Sequence, residues 1–190
     1  MILESVITTR NAAGGDHIAP MGIREQDGCV VLSPFRPSAT LEHVLRERFA
    51  VVNVTDDVRV FAGCLTGRYD WATVPARHLP CGRLASALAH AELRLERVED
   101  DAVRPRLWCR EIERFNHAPF RGFNRAQAAV IEAAILVSRL DMLPAEKISA
   151  EMSYLSIAIE KTAGPREREA WAWLQEAVAA FRTGDRESAA

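Results

Sequence analysis

Two tight-turn signals within the first thirty residues constrain the fold of this chain more than any other feature. Gly14-Gly15 and Asp27-Gly28 each stand between short segments rich in apolar and β-branched residues. Glycine reaches positive φ without steric cost, and Asp-Gly is typical of two-residue hairpin loops. Consecutive hairpins join antiparallel strands, whereas parallel strands need long crossover connections. The sequence therefore predicts a small antiparallel β-barrel and not a parallel α/β sheet.

The middle of the chain is expected to complete this barrel. Residues 90–98 alternate between apolar and charged side chains, which is typical of an antiparallel strand with one face in water. Residues 106–115 are predicted to pair with them and close the barrel, because closure removes exposed strand edges. Between the hairpins and these strands, apolar spacing predicts a helix from Ser38 to Phe49, capped by Ser38, and then a buried strand over residues 50–55.

From Asn124 onward the apolar period changes from two to about 3.6, which indicates helices. Leu143-Pro144 and Gly164-Pro165 divide this part into three helical segments, since proline disfavours helix in the residue before it. We therefore expect a β-barrel domain over residues 1–120 and a segment of about three helices over residues 121–190, packed on the barrel. The polar tail after Gly184 is expected to fray.

Composition limits the classes of function. The 190 residues carry 24 Lys and Arg against 26 Asp and Glu, so a dedicated nucleic-acid or membrane-surface binder is not expected. The sequence contains no run of about 18 apolar residues and no secretory signal, and we expect a cytoplasmic protein that does not span a membrane. The 4 cysteines and 5 histidines lack the spacing of a metal site, so no metal is assigned.

The turn at residues 36–40 combines a cation and two hydroxyl groups at the start of the predicted helix. Arg36, Ser38 and Thr40 stand where free backbone N–H groups and the helix dipole both favour an anion. By themselves these residues indicate only an anion site. Arg36 could equally be a solvated turn residue, and Thr40 could simply cap the helix.

The same stretch resembles the FMN-binding split-barrel superfamily. The turn Arg36-Pro37-Ser38-Ala39-Thr40, followed by FAVVNV from Phe49, is similar to the phosphate-binding turn and next strand of flavin reductases. A closer similarity, to an uncharacterised family of about this length, is carried by HIAPMG from His17, NVTDD from Asn53 and GFNRAQ from Gly122. The resemblance extends over nearly the whole chain. It implies an antiparallel split β-barrel that binds FMN, forms a homodimer and carries a helical C-terminal segment.

The resemblance also suggests which residues contact FMN. The phosphate is expected at the 36–40 turn, and the edge of the flavin ring at the strand around Pro20, where an irregularity would free backbone amides. Asn53 is expected beside the ribityl chain, and Arg125 is expected to reach the site from the partner subunit. The candidate cofactor-binding residues are His17, Ile18, Ala19, Pro20, Met21, Gly22, Arg36, Ser38, Thr40, Asn53 and Arg125.

Three functions remain open at this point. The first is an FMN-dependent oxidoreductase of unknown substrate, with a nicotinamide as candidate electron donor; the resemblance links such families to pterin-dependent one-carbon metabolism. The second is a flavin carrier or sensor without turnover, and the third is a structural module that has lost the cofactor. The sequence shows no acid–base constellation, so no catalytic residue is named.

Overall fold

A computed structural model describes residues 1–188 of the chain, with side chains described as far as residue 183. The strands are β1 (Leu3–Arg10), β2 (Asp16–Gln26), β3 (Cys29–Leu32), β4 (Phe49–Val54), β5 (Thr73–Pro75), β6 (Gly82–Leu84), β7 (Ala89–Glu99) and β8 (Arg106–Asn116). The helices are α1 (Ala39–Glu47), α2 (Arg59–Leu65), α3 (Arg125–Val137), α4 (Ala145–Thr162) and α5 (Pro165–Ser188). Within these residues, no helix combines the length and apolarity that crossing a bilayer requires.

Six of the strands close into a barrel in the order β1-β2-β3-β8-β7-β4. Every pairing between them is antiparallel, as the hairpin signals predict. At the second turn, Asp27 has φ 53° and Gly28 has φ 75°, the left-handed conformation that a type I′ hairpin requires at both positions. The predicted antiparallel barrel is therefore confirmed.

Helix α1 packs into the core of the barrel. Its buried Leu41 and Val44 join the apolar side chains that the strands direct inward, such as Ile7 of β1 and Leu93 of β7. Ser38 caps the helix as predicted, because its hydroxyl oxygen accepts the backbone N–H of Leu41 at 3.3 Å. The first turn of α1 is thereby fixed against the barrel.

The chain separates into two compact units. The barrel unit comprises Met1–Asp56 and Asp70–Phe120, and the helical unit comprises Asp57–Tyr69 together with the chain from Arg121 onward. Helix α2 thus belongs with the C-terminal helices, although the sequence places it among the strands. We expected a single boundary at residue 120 and did not expect α2 to group with the C-terminal helices.

Helices α3, α4 and α5 confirm the prediction of three C-terminal helices. Small residues on α3, including Ala129 and Ala133, pack in one buried cluster with Trp171 and Leu174 of α5. Proline begins α5, where its missing N–H leaves no helical bond unmade. The backbone of α5 is helical as far as Ser188. We expected the tail after Gly184 to fray, but its side chains and its last two residues lie outside the described part of the chain.

Strands β5 and β6 form a separate two-stranded sheet that the sequence pattern did not reveal. The loop between them carries Leu79 and Cys81, which pack on Phe49 and Val51 of β4. This loop also covers part of β7, where Glu92 is 0% exposed. The expectation that the charged face of residues 90–98 lies in water is therefore wrong at Glu92, because a distant segment of the chain covers that position.

Candidate functional site

Over residues 17–23, strand β2 has a strand partner on one edge only. It pairs with β1 from Asp16 to Ile23, and its pairing with β3 begins only at Arg24. No strand in the described part of the chain occupies the other edge of this stretch. Pro20 lies in this stretch, opposite Val6, and the register does not shift there. The strand is therefore continuous, whereas we expected Pro20 to interrupt it. Proline suits such an edge because it has no N–H to donate to a neighbouring strand.

The residues along this open edge are partly accessible to solvent. His17, Ala19, Pro20, Met21 and Gly22 are all half-buried, so each retains some accessible surface. Met21 packs against the barrel core through an apolar and polarizable side chain. A Cβ atom on Gly22 would lie 2.7 Å from Cγ2 of Ile2, so the strand surface at this position depends on glycine.

Two of the candidate residues meet at the start of α1. Thr40 Oγ1 lies 3.4 Å from Nε2 of His17, and the ring of His17 stands edge-on to His43 with centroids 5.1 Å apart. On its other side, Nδ1 of His43 lies 3.0 Å from Oγ1 of Thr9. The structure therefore joins the first turn of α1 to β1 and to the beginning of β2 through one polar cluster.

Burial and neighbouring groups favour the neutral form of both imidazoles in this cluster. Burial, followed by the neighbouring His43, lowers the pKa of His17. Burial, followed by the Arg46 charge, lowers the pKa of His43. A neutral imidazole both donates and accepts a hydrogen bond. Thr9 and His43 are missing from the sequence-based candidates, although the spacing of Thr40 and His43 along one helix face could have indicated the second of them.

The other two residues of the predicted phosphate turn have partners of their own. Arg36 Nη2 donates to Oδ1 of Asp100 at 2.9 Å, and both side chains are largely exposed. Ser38 uses its hydroxyl oxygen as the helix cap. An exposed ion pair contributes little to stability, so an incoming anion can replace Asp100 as the partner of Arg36 at small cost.

Asn53 and Arg125 stand apart from this cluster. The buried amide of Asn53 donates from Nδ2 to the carbonyl of Val6 and to Oγ1 of Thr8, and its Oδ1 accepts the backbone N–H of Leu84. A ribityl contact at Asn53 would have to reach a side chain that is 0% exposed. Arg125 is exposed at the start of α3 and belongs to the helical unit, whereas the other candidates belong to the barrel unit.

Comparison with known protein families identifies the chain. A family model described as the N-terminal domain of a protein of unknown function (DUF447) matches residues 3–118, and a second DUF447 model matches residues 124–176. The chain belongs to the DUF447 family. The resemblance drawn from its sequence motifs is thereby confirmed.

Relatives of this DUF447 chain fall into two groups. An uncharacterized protein from Methanocaldococcus jannaschii is 30% identical over 148 residues, which cover 74% of this chain and 75% of that protein. The crystal structure of an FMN-bound DUF447 protein from Methanosarcina mazei has a TM-score of 0.79 at 20% identity, covering 93% of this chain and 94% of the other.

The second group matches a smaller share of the chain. The flavin reductase of styrene monooxygenase from Pseudomonas putida has a TM-score of 0.53 at 16% identity, covering 61% of this chain and 80% of that one. At these identities the likeness shows the fold. The expected antiparallel split β-barrel with a C-terminal helical segment is confirmed.

Proposed function

We propose that this protein binds FMN along the open edge of β2, with the FMN phosphate at the first turn of α1. The observation that carries the proposal is the contact between Thr40 and His17, which joins a helix N-terminus to a strand edge that no described strand pairs with. The FMN-bound family member from Methanosarcina mazei, similar over almost its full length, supports the choice of ligand.

The residues at this junction fit the chemistry of FMN. Backbone N–H groups in the first turn of a helix have no intrahelical acceptor, and the helix dipole favours a phosphate there. Thr40 adds a hydroxyl donor, and Arg36 adds a guanidinium once it leaves Asp100. Pro20, Met21 and Gly22 offer an apolar strand edge of low relief to a flat ring. When bound, FMN supplies the redox chemistry, and the protein contributes binding and orientation.

We further propose that the bound flavin turns over, which makes the protein an FMN-dependent oxidoreductase with a nicotinamide donor. The similarity in fold to a flavin reductase supports this class. The family resemblance nominates a pterin-bound one-carbon carrier as the first substrate to assay. A flavin carrier or sensor without turnover is the alternative. An assay of nicotinamide oxidation separates the two.

The deciding experiment is the absorbance spectrum of the purified protein, followed by oxidation of NADH and NADPH with and without added FMN. Flavin absorbance with nicotinamide oxidation supports the oxidoreductase, and flavin absorbance without it supports the carrier. A colourless protein that takes up no FMN on titration would overturn both.

A matched pair of variants tests the position of the phosphate. Thr40→Val removes one hydroxyl donor, and we expect it to weaken FMN binding by about 10-fold, since one hydrogen bond to a charged group contributes roughly 1.5 kcal/mol. Thr55→Val is the control, because the Thr55 hydroxyl bonds the carbonyl of Ser86 in the same unit. Equal affinities for the two variants would move the phosphate away from α1.

A homodimer belongs to the same proposal. Large apolar side chains are exposed on the helical unit, including Phe123 (101%), Tyr154 (74%) and Met142 (73%). Where such groups form one contiguous patch, they are typical of a protein–protein contact site. In such a dimer, Arg125 of the partner subunit is a candidate for contact with the FMN phosphate.

All four cysteines are free, which supports a cytoplasmic location.

A further inference from the structure

The inward-facing side chains of the barrel become shorter toward one of its ends. On β7, Leu93 belongs to the apolar core, and Ala91 and then Ala89 continue the same face of the strand, because side chains alternate between the two faces. On β1, Ser5 follows Ile7 in the same way. Side chains normally fill the interior of a small barrel, so these short side chains leave space at one end.

A cavity of about 180 Å³ occupies this space. Each of the six barrel strands lines it, through Leu3 of β1, Ile23 of β2, Val30 of β3, Val52 of β4, Ala91 of β7 and Arg114 of β8. These residues lie near the starts of β1, β3 and β7 and near the ends of β2, β4 and β8, which antiparallel pairing brings to one end of the barrel. Helix α1 connects the end of β3 to the start of β4, so it packs into the core from the opposite end.

The polar side chains in the wall of the cavity already have hydrogen-bond partners. Ser5 is 1% exposed, and its Oγ donates to the carbonyl of Met21 at 2.8 Å. Nε2 of His90 lies 3.4 Å from Oε1 of Glu92, and Nδ1 of His90 lies 2.8 Å from Nε2 of His117. A molecule inside the cavity therefore meets mainly apolar surface.

Charged side chains that are partly exposed stand at the mouth of the cavity. Arg114 donates from Nη2 to Oε1 of Glu25 at 3.0 Å and to Oε2 of Glu111 at 2.7 Å. The exposed Glu4 also lines the cavity and adds a further carboxylate. With three carboxylates and one guanidinium, the mouth disfavours an anionic ligand. Exposed ion pairs contribute little to stability, so a small molecule can part Arg114 from Glu25 at little cost.

The volume and the lining of the cavity fit a small neutral molecule. An engineered apolar cavity of about 150 Å³ stays dry and binds benzene, because water finds no polar partners in it. The cavity of this barrel is of similar size. A charged group would lose its hydration on entering, and no free polar group in the wall replaces that hydration.

We propose that this end of the barrel is a binding site for one small, uncharged, apolar molecule of about the size of a benzene ring. The ligand lies among Ile23, Val52 and Ala91 and enters past the pair of Arg114 and Glu25. Burial of its apolar surface drives binding, and no covalent bond is made or broken. None of the residues proposed to contact FMN lines this cavity, so the site is independent of the proposed function.

Calorimetric titration with benzene tests the site. Benzene is titrated into the protein saturated with FMN at several temperatures; if the protein does not take up FMN, the same titrations are made without it. We expect saturable binding of one benzene per chain, with an enthalpy that becomes more negative as the temperature rises, because burial of apolar surface lowers the heat capacity. Benzoate has the same ring with a negative charge and should bind about 10-fold more weakly or worse.

A matched pair of variants locates the ligand. Ala89→Leu places a larger apolar side chain in the cavity and should abolish benzene binding. Ala102→Leu makes the same change at an exposed position between β7 and β8 and should bind benzene as the unmodified protein does. Urea unfolding checks the fold of both variants, and filling the cavity should leave Ala89→Leu at least as stable as the unmodified protein. If Ala89→Leu is less stable, Ala91→Val adds a smaller volume to the same wall, with Ala102→Val as its control.

Three results would overturn the proposal. The first is the absence of saturable benzene binding at millimolar concentration, and a second copy of the chain would then be the occupant to test at this mouth. The second is an unchanged affinity for benzene in a stably folded Ala89→Leu. The third is binding of benzoate as tight as that of benzene, because the site would then recognise a charge.

Discussion

Thr40 Oγ1 and Nε2 of His17 lie 3.4 Å apart, and this contact connects the start of α1 with residues 17–23 of β2, which pair with β1 alone among the described strands. A helix N-terminus and an open strand edge offer different groups to a ligand. The first supplies N–H groups suited to a phosphate, and the second supplies a backbone edge suited to a planar ring. Because these two features meet at His17, the proposed FMN site extends from the first turn of α1 along the open edge of β2.

Replacing Arg36 by Ala should weaken FMN binding by about 10- to 150-fold, because a charge-assisted contact to the phosphate contributes roughly 1.5–3 kcal/mol. Fluorescence titration of the apoprotein with FMN measures the effect. Arg110→Ala is the matched control, since Arg110 also forms an exposed ion pair on the barrel unit, with Glu96 at 2.9 Å. An unchanged dissociation constant for Arg36→Ala would place the phosphate elsewhere.

FMN should bind more tightly than FAD. The proposed phosphate turn leads directly into α1, and the sequence contains no second nucleotide-binding fingerprint for an adenylate. Parallel titrations of the apoprotein with the two flavins measure the preference. The idea fails if FAD binds as tightly as FMN or more tightly.

Stability should fall as the pH is lowered from about 8 to about 5. The pKa values of His17, His43, His90 and His117 are all lowered in the fold, chiefly by loss of hydration. Below about pH 6.5, the unfolded chain therefore takes up protons that the folded chain does not. Because the unfolded state binds more protons in this range, the free energy of unfolding decreases as the pH falls.

Urea unfolding midpoints at the two ends of this range measure the trend. His43→Gln should flatten the dependence, because that variant removes one group whose pKa differs between the folded and unfolded states. Glu92 adds to the loss below about pH 4.5, since its pKa is also lowered. A midpoint that stays constant or rises on acidification would contradict the prediction.

The protein should run as a dimer of about twice its 21.1 kDa mass in size-exclusion chromatography with light scattering. Ile157→Glu places a charge among the exposed apolar side chains of α4 and should shift the protein toward the monomer, if this surface is buried between subunits. Ala172→Glu, at an exposed position of α5, is the control. A monomer at micromolar concentration with FMN bound would rule out a dimer-dependent site.

Local sequence signals determined much of the barrel and of the helices. Asp27-Gly28 fixed the second hairpin because both residues can take positive φ, and Ser38 began α1 because its hydroxyl replaces a missing helical acceptor. The change of apolar period at Asn124 and the prolines at 144 and 165 separated the three C-terminal helices. These features depend on residues only a few positions apart, so one sequence is enough to predict them.

Only the tertiary structure decided what lies against each strand. Glu92 has the spacing of a solvent-facing strand residue, yet it is buried because the β5–β6 loop folds over it and donates three N–H groups. His90 and His117 are 27 positions apart and meet only because β7 and β8 pair. Periodicity tells which side chains share a face of a strand, but the burial and the partners of that face come from long-range packing, which local patterns do not encode.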